Sequence, residues 1–265
     1  MSSSARPEIP TGATLNLTVV IPTFNEAENL PGLIPALFEL PRLNLHVLVV
    51  DDGSPDGTAQ IARDLSTQYP GQIGLIERPG KLGLGSAYIC GFAEAMRMGA
   101  EAIAQMDADF SHPPVKLVEL VAALERTDLA MGSRYIPGGS VDERWPVWRK
   151  GLSAFGNLYA RTILRLPVRD ATGGFRVWRR ETLAGMPLNR VRSNGYAFQV
   201  EMAYIAHRLG YSFKEVPFYF ADRRWGKSKM SFAIQVEAAR RVWEMLIEYR
   251  DLSPVHAPRP KSIQI

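Results

Sequence analysis

The sequence predicts one α/β domain, built on a mixed, mostly parallel sheet that is flanked by helices. Its apolar runs are short and do not alternate with polar residues, which is typical of strands buried on both sides. Longer segments with helical spacing separate these runs, as in the βαβ units of a doubly wound sheet. With 265 residues, 46% of them hydrophobic and 22% charged, the chain can also bury one sizeable core.

Strand and helix segments follow one another in a regular order. Strands are expected at residues 17–21, 47–50, 73–76, 102–106 and 129–132. Helices are expected between them at residues 27–40, 58–69, 86–99 and 114–124. Residues 1–16 and 253–265 are rich in Pro, Ser and other small or polar residues, so we expect flexible tails around a domain at residues 17–230.

Residues 231–252 are expected to form a C-terminal amphipathic helix. Its polar stripe contains Glu237, Arg241, Glu244 and Glu248, and these charges exclude a membrane span. We expect the helix to pack on its own domain; an interfacial helix or a docking site for a partner is the alternative. The chain also lacks a signal-peptide pattern and the ~20 apolar residues of a transmembrane helix, so we expect it on the cytosolic side.

Charge and cysteine content narrow the classes of function only mildly. The net charge of +4 fits anionic substrates or an anionic membrane surface, and it does not require nucleic acid. Cys90 is the single cysteine, so an intrachain disulfide is excluded and a reducing compartment is favoured. We interpret Cys90 as a small hydrophobic residue of the core.

Polar residues that directly follow the predicted strands are the candidates for function. Ligands of such sheets bind beyond the carboxyl ends of the strands. This rule selects residues 22–26, 51–57, 107–112 and 133–135.

The segment after the fourth strand contains two aspartates, Asp107 and Asp109, whose carboxylates can converge on one cation. Oxygen ligands of this kind suit Mg²⁺ or Mn²⁺, which keep water and substrate phosphates in their other positions. Aspartates in a loop are more often helix caps or turn formers. Their place at a strand end, and a second acidic site beside them, favour the metal.

That second site is Asp51-Asp52, at the end of the most hydrophobic strand. One of these carboxylates can cap the next helix or order the turn of residues 54–57, and this structural role is our interpretation of Asp51, Ser54 and Asp56. The other, Asp52, can accept hydrogen bonds from a nucleobase or ribose.

The segment after the first strand, residues 22–26, has the composition of a strand-to-helix turn. Asn25 is expected to cap the following helix, and the charge of Glu26 favours the positive end of that helix. A functional role of Glu26 would be additional.

Basic residues gather in the second half of the chain, and most such residues are solvated. Arg134, however, follows a strand, where its planar fork can bind phosphate through two bonds. The other basic residues of interest are Arg149, Lys150, Arg223, Arg224, Lys227 and Lys229. Acids for a metal beside bases for phosphate indicate a bound diphosphate.

Two other nucleotide-binding classes are disfavoured. Gly83-Leu84-Gly85 starts like a dinucleotide fingerprint, but it follows the third strand and lacks the third glycine. A phosphate loop of the GxxxxGK[ST] type is absent from the sequence.

Seven motifs together carry a resemblance to a known family. In order they are VVIPTFNEAENL, VLVVDDGSPDGT, KLGLGSAY, MDADFSHPP, GSRY, DATGGFRVWRRE and DRRWGKSKM. The sequence resembles the polyprenol-phosphate mannose synthases, which are family 2 glycosyltransferases. The resemblance implies a GT-A fold for residues 17–230, a GDP-mannose donor, a divalent metal, a polyprenyl phosphate acceptor and inversion at the anomeric carbon.

The resemblance also implies roles for individual residues. Positions that hold the guanosine are Pro22, Phe24, Glu26, Val50 and Asp52. The metal and diphosphate site is matched by Asp107, Ala108 and Asp109, and Ser111 stands where some relatives have a third, glutamine ligand. Positions that contact donor or acceptor phosphates are Arg134, Arg223 and Lys229. Phe24 replaces a tyrosine of many relatives, so it can stack on the nucleotide but cannot donate a phenol hydrogen bond.

The acceptor's chemistry then implies a mechanism without a catalytic base. A polyprenyl phosphate is already anionic and can attack the anomeric carbon directly. Arg134, with Arg149 or Arg223, would neutralise this nucleophile, and a metal on Asp107 and Asp109 would stabilise the departing GDP. We therefore expect Asp109 and Arg134 to be catalytic.

The resemblance also implies a membrane partner, and two alternative functions stay open. The lipid acceptor implies peripheral contact with a membrane surface and a possible polytopic membrane partner. One alternative is a family 2 enzyme with another acceptor or another donor, such as UDP-glucose. A non-catalytic binding module is the other, and the intact Asp107, Asp109 and Arg134 argue against it.

Overall fold

The computed structural model describes residues 15–41, 43–222 and 232–255, and at residues 232–236 it describes the backbone alone. Strand and helix alternate in the first half of the chain. The elements there are β1 (Asn16–Thr23), α1 (Leu30–Phe38), β2 (Asn44–Asp51), α2 (Thr58–Gln68), β3 (Ile73–Glu77), α3 (Leu84–Arg97), β4 (Ala102–Gln105), α4 (Lys116–Ala123) and β5 (Leu129–Ser133). The five strands and four helices expected in this half are confirmed, although α1 begins later than expected.

The second half adds two strands to the sheet and several helices around it. Its elements are β6 (Ser140–Val141), α5 (Val147–Leu164), β7 (Arg176–Arg179), α6 (Arg180–Ala184), α7 (Gly195–Arg208), β8 (Phe213–Pro217), β9 (Tyr219–Phe220) and α8 (Phe232–Glu248). Within the described ranges, no helix combines the length and the apolar character that a membrane crossing requires.

One seven-stranded sheet organises the molecule, in the order β3-β2-β1-β4-β7-β5-β8. Strand β7 runs antiparallel to both of its neighbours, and the other pairings in this sheet are parallel. Strands β6 and β9 form a separate parallel pair. The predicted mixed, mostly parallel sheet is therefore confirmed.

Side chains of successive strand residues enter two cores, one on each face of the sheet. In β1, Val20 belongs to the core with Phe92 of α3, whereas Val19 belongs to the core with Leu33 of α1. This alternation explains the unalternated apolar runs, since both sides of the strand need apolar residues. Because β1, β2 and β4 are parallel, they end at the same edge of the sheet. The candidate residues that follow these strands lie at that edge.

Candidate active site

The turns after β1 and β2 are tied together by Asp51. Its carboxylate accepts hydrogen bonds from Thr23 Oγ1 at 2.8 Å, from Ser54 N at 2.9 Å and from Ser54 Oγ at 2.6 Å. Asp56 in turn accepts bonds from Thr58 Oγ1 at 2.6 Å and from Ala27 N at 3.1 Å. The interpretation of Asp51 and Asp56 as turn-forming residues is confirmed.

The turn before α1 differs from the expectation. Asn25 has a positive φ of 63° and donates its backbone N–H to Ser54 Oγ at 3.0 Å. The N-cap of α1 is Asn29, so the expected capping role of Asn25 is wrong. Residues 26–29 form an additional turn, in which Glu26 O accepts the N–H of Asn29 at 3.0 Å, and this turn delays the start of the helix. Glu26 Oε2 also accepts a bond from Asn29 Nδ2 at 2.6 Å.

The residues matched to the guanosine position differ in accessibility. Pro22 and Phe24 are half-buried at the end of β1, and Lys81 Nζ lies 4.6 Å from the centroid of the Phe24 ring. The side chains of Val50 and Ala108 lie in the two cores. In this arrangement, neither side chain is open to contact with a ligand, because both are covered by the helices that pack on the sheet.

Asp52 is almost completely covered and holds the loop before α3. Its Oδ2 accepts hydrogen bonds from Leu82 N and Gly83 N, both at 3.1 Å, and Arg78 Nε lies 3.2 Å from its Oδ1. Gly85, in the first turn of α3, is required for packing, because a Cβ at this position would lie 2.5 Å from Ser193 O. The rejected dinucleotide fingerprint is thus explained by the close approach of two backbone segments.

Asp107 and Asp109 follow β4 and differ in exposure. The side chain of Asp107 is 33% exposed, and its Oδ1 accepts a hydrogen bond from Tyr88 Oη at 3.2 Å. Asp109 is buried, and its Oδ1 accepts the N–H of Ser111 at 3.0 Å. The hydroxyl of Ser111 is buried and has no hydrogen-bond partner among the described residues.

His112 contacts the backbone of the loop that contains Asp107 and Asp109. Its ring stacks on Phe175 at 5.0 Å between centroids, and its Nδ1 accepts the N–H of Asp107 at 3.0 Å. Burial lowers the pKa of His112 below its ordinary value, so the ring is neutral at neutral pH. An acceptor Nδ1 places the proton on Nε2, which lies 4.0 Å from Asp107 Oδ2.

Arg134 follows β5 and is paired with Asp170. Arg134 Nε and Nη2 donate to the two carboxylate oxygens at 2.7 Å each, and Nη2 also donates to Thr172 Oγ1 at 2.8 Å. Burial opposes the charge of Arg134, but Asp170 more than offsets it and raises the pKa of the guanidinium. The Nε–Nη2 edge of Arg134 thus holds Asp170, whereas Nη1 donates no hydrogen bond within the described chain; phosphate binding by Arg134 stays a prediction.

The loop that carries Asp170 is held from three sides. Asn157 Oδ1 accepts the N–H of Ala171 at 2.9 Å, and Glu215 Oε1 accepts that of Asp170 at 2.9 Å. Arg176 is buried and donates from Nη2 to Ala171 O at 2.8 Å. Desolvation lowers the pKa of Arg176 to about 9. Asp170 is consequently a fixed partner of Arg134.

Aromatic contacts bring the acidic and basic residues to one place. The ring of Phe220 lies 6.0 Å from that of His112, and Arg134 Cζ lies 5.3 Å from the Phe220 centroid. The Trp145 ring lies 5.6 Å from Phe220, and Arg149 Cζ lies 3.7 Å above Trp145. Arg149 also pairs with Asp222 at 3.3 Å. Arg223 and Lys229 lie outside the described residues.

This arrangement offers two carboxylates for a cation and arginines for phosphate at one sheet edge. Among the residues that the structure describes, no group of three or more His, Cys, Asp or Glu side chains could hold a metal by itself. A cation held by these two carboxylates would need further oxygen ligands, such as water, another side-chain oxygen or substrate phosphates.

Comparison with known proteins decides the family. The model of glycosyl transferase family 2 matches residues 18–185. The chain belongs to this glycosyltransferase family.

Relatives of this glycosyltransferase extend the likeness to nearly the whole chain. Polyprenol monophosphomannose synthase of Mycolicibacterium smegmatis is 44% identical over 243 residues, which cover 91% of this chain and 89% of that protein. Undecaprenyl-phosphate mannosyltransferase of Micrococcus luteus is 40% identical over 241 residues, covering 90% of this chain and 98% of that protein.

Solved structures of similar fold come from glucosyl-3-phosphoglycerate synthase of Mycobacterium tuberculosis. Its complex with Mn²⁺, UDP-glucose and phosphoglyceric acid has a TM-score of 0.60 at 17% identity, covering 91% of this chain and 81% of that one. Its complex with Mn²⁺, UDP and phosphoglyceric acid has a TM-score of 0.62. The glycosyltransferase thus has the GT-A fold.

Several residues of the glycosyltransferase's site were missed by the sequence analysis. Tyr88 and His112 support Asp107, and Asp170 and Asn157 position Arg134. Tyr88, His112 and Asp170 lie in the motifs KLGLGSAY, MDADFSHPP and DATGGFRVWRRE, so the motifs themselves were the available signal. Asn157 lies in helix α5, outside these motifs, and no sequence pattern marked it as a candidate site residue.

Proposed function

We propose that this enzyme transfers mannose from GDP-mannose to a polyprenyl phosphate, with inversion at the anomeric carbon. The observation that carries the proposal is the 44% identity, over 91% of the chain, to a polyprenol monophosphomannose synthase. The geometry supports it, because Arg134 and His112 both lie beside the Phe220 ring, and His112 in turn holds the backbone of Asp107.

The residues present fit a divalent cation, Mg²⁺ or Mn²⁺. Asp107 and Asp109 supply two carboxylates, and the unpartnered hydroxyl of Ser111 is a further oxygen among the described residues. Such cations commonly use one or two protein carboxylates together with substrate phosphates. When bound, the cation would stabilise negative charge on the leaving diphosphate.

The chain's own residues align two anionic substrates. The acceptor phosphate oxygen forms a bond to the anomeric carbon while the bond from that carbon to the diphosphate breaks, and GDP leaves. Arg134 Nη1 and Arg149 are the cations for the acceptor phosphate, and Arg223 and Lys229 remain proposed phosphate contacts. Because the nucleophile is already charged, the chain needs no base to take a proton from it.

The donor pocket is proposed to involve Pro22, Phe24, Glu26 and Asp52. Phe24 has an aromatic ring that can stack on the base, and Lys81 Nζ lies 4.6 Å from the centroid of that ring. The enzyme would act peripherally at the cytosolic face of a membrane, where its lipid acceptor lies, with a polytopic membrane protein as a possible partner.

One assay tests the proposal. Purified protein, labelled GDP-mannose and a short-chain polyprenyl phosphate should give labelled polyprenyl-phosphate mannose in the presence of Mg²⁺ or Mn²⁺. GDP should raise the melting temperature more than UDP does. If UDP alone raised the melting temperature and sugar were transferred from a UDP-sugar, the donor would be that UDP-sugar and not GDP-mannose. Binding of donor without any single-turnover transfer would indicate a non-catalytic module.

Asp109→Ala is the variant for this assay. Losing a carboxylate from the cation site should lower turnover by roughly a thousandfold, since the lost stabilisation is several kcal/mol. The variant's affinity for Mn²⁺ with GDP, measured by electron paramagnetic resonance, should fall as well. Near-normal turnover in chelator-treated buffer would contradict the role of Asp109.

A further inference from the structure

A chain of buried hydrogen bonds fixes the orientation of the Gln199 side chain. Trp178 Nε1 donates to Gln105 Oε1 at 2.6 Å, and Gln105 Nε2 donates to Gln199 Oε1 at 3.3 Å. All three side chains are buried. Because an indole N–H can only donate, Gln105 must turn its oxygen to Trp178 and its NH₂ group to Gln199. Gln199 must then direct its own NH₂ group away from Gln105.

The NH₂ group of Gln199 lies beside Gly174. A Cβ at Gly174 would be 3.2 Å from Gln199 Nε2 and 3.5 Å from His112 Cε1, so no side chain at this position covers either group. Gln199 is only 3% exposed, and its Nε2 donates to none of the described residues. A buried amide N–H without an acceptor is unfavourable. This group therefore needs an oxygen atom from water or from a ligand.

Gly174 lies between the acidic and the basic parts of the candidate site. On one side is His112, which accepts the backbone N–H of Asp107. On the other side is Asp170, because a Cβ on the preceding glycine would be 3.3 Å from Asp170 Oδ1. Asp170 in turn pairs with Arg134. The NH₂ group beside Gly174 is thus placed between the acidic loop and the guanidinium.

The proposed function places the transferred hexose in the same region. The anomeric carbon has to lie between the departing diphosphate, proposed beside Asp107 and Asp109, and the attacking phosphate beside Arg134. A neutral amide donor suits an uncharged hydroxyl group, whereas charged groups suit phosphates.

We propose that Gln199 Nε2 donates a hydrogen bond to a hydroxyl group of the transferred hexose and contributes to the choice of sugar. This inference rests on the proposed function, because the positions of the two phosphates locate the sugar. A site built to hydrogen-bond a hydroxyl group discriminates against an analogue that lacks it, since the polar group of the protein is then left unpaired.

Deoxy donors test the inference with the full chain. The probes are GDP-mannose and four analogues that each lack one hydroxyl group, at C2, C3, C4 or C6. Gln199→Met has a similar size and no donor. Gln199→Glu keeps an oxygen for Gln105 and removes only the NH₂ group, so it tests the same contact if the methionine variant does not fold.

Thr182→Val is the matched control. It loses a buried hydrogen bond, from Thr182 Oγ1 to Asp128 O at 3.1 Å. Thr182 lies in α6, which follows β7. Because β7 is antiparallel to β4, α6 begins at the edge of the sheet opposite Asp107.

The affinity for each donor with Mn²⁺, measured by calorimetry, and kcat/KM for transfer are compared across the proteins. In the wild type, loss of the recognised hydroxyl group should lower both by roughly tenfold. Both Gln199 variants should treat that analogue and GDP-mannose alike. The intrinsic reactivity of an analogue is the same with every protein, so it cancels in this comparison. Thr182→Val should have a lower melting temperature and the discrimination of the wild type.

Additive losses with all four analogues would overturn the inference and leave water as the acceptor of Gln199 Nε2. A wild type that does not distinguish the analogues from GDP-mannose would overturn it as well. So would a Thr182→Val protein that loses the same discrimination, since destabilisation alone would then explain the effect. If donor binding follows the expected pattern but no protein transfers sugar to a polyprenyl phosphate, the proposed function fails and the hexose contact stands.

Discussion

His112 illustrates how one buried side chain can hold the backbone of an acidic loop in place. Its ring is fixed by Phe175, and its Nδ1 accepts the backbone N–H of Asp107. A buried N–H without an acceptor costs about 1–3 kcal/mol, so the loop has a strong preference for this position.

His112→Phe should therefore impair transfer while the protein stays folded. Phenylalanine keeps the stacking but removes the acceptor, and a cost of about 1.4 kcal/mol lowers the rate about tenfold. We expect a lower kcat and weaker binding of Mn²⁺ with GDP, with the KM for the acceptor unchanged. His112→Asn is the control, because its Oδ1 can occupy the place of Nδ1 and restore part of the activity. Equal kcat values in the two variants would rule out this positioning role.

Asp170 is the residue on which the position of Arg134 depends. Burial raises the pKa of Asp170, but the charge and hydrogen bonds of Arg134 outweigh burial and lower it. A carboxylate with a lowered folded-state pKa stabilises the fold above its unfolded value of about 3.9, and this contribution is lost as the pH falls further.

Asp170→Asn should lower the free energy of unfolding at neutral pH by about 3–5 kcal/mol, since Arg134 would be left buried without its anion. Below about pH 4, the stability of the variant should fall less steeply than that of the wild type. Chemical denaturation across this range measures both effects. Asp64→Asn, at an exposed position on α2, is the control and should follow the wild type. A variant with the acid dependence of the wild type would show that Asp170 does not titrate as described.

At the scale of elements, the first half of the fold was readable because each strand is a short apolar run between polar turns. Strand β7 was not, because it has arginines at both ends that normally indicate solvent. Arg176 and Arg179 are nonetheless buried, since their guanidinium groups donate to backbone carbonyls of Ala171 and Thr127. Only the folded chain brings these carbonyls to the arginines.

Prediction of the site has the same limit, because contacts between distant segments form only when the chain is folded. The rule of strand ends located Asp107, Asp109 and Arg134, because it needs only the order of the elements. The pairing of Arg134 with Asp170 spans 36 positions and depends on how a loop folds back. The capping of α1 was misjudged for a related reason, since a turn over residues 26–29 precedes the helix.

Two helical glycines provide an element-scale prediction. A Cβ at Gly85, in the first turn of α3, would lie 2.5 Å from Ser193 O, whereas one at Gly156, within α5, would meet open space. Gly85→Ala should destabilise the protein by about 1–3 kcal/mol and weaken donor binding, because the loop that Asp52 holds must shift. Gly156→Ala should be neutral or stabilise by up to about 1 kcal/mol. Thermal unfolding checks both, and a Gly85→Ala protein as stable as the wild type would show that the two backbone segments can separate freely.

At the scale of the whole molecule, Glu201 joins the C-terminal helix to the rest of the protein. This side chain of α7 is fully buried. It accepts hydrogen bonds from Ser193 N at 2.8 Å, Arg241 Nη2 at 3.0 Å and Tyr249 Oη at 2.8 Å. Since Ser193 O also lies against Gly85, the contacts run from α8 through Glu201 to the loop before α3.

Glu201→Gln should consequently affect both stability and the donor site. The amide keeps the shape of the carboxylate but removes its charge. Because Arg241 keeps its ion pairs with Glu244 and Glu248, losing the charged hydrogen bonds of Glu201 should cost about 1.5–3 kcal/mol. We expect the free energy of unfolding to fall by that amount and the KM for the nucleotide-sugar to rise, because the Ser193 segment loses its acceptor. Glu237→Gln, an exposed change on the same helix α8, should leave both quantities unchanged. A Glu201→Gln protein with reduced stability but an unaltered KM would confine the role of Glu201 to anchoring α8, whereas unaltered stability would contradict the buried pairing itself.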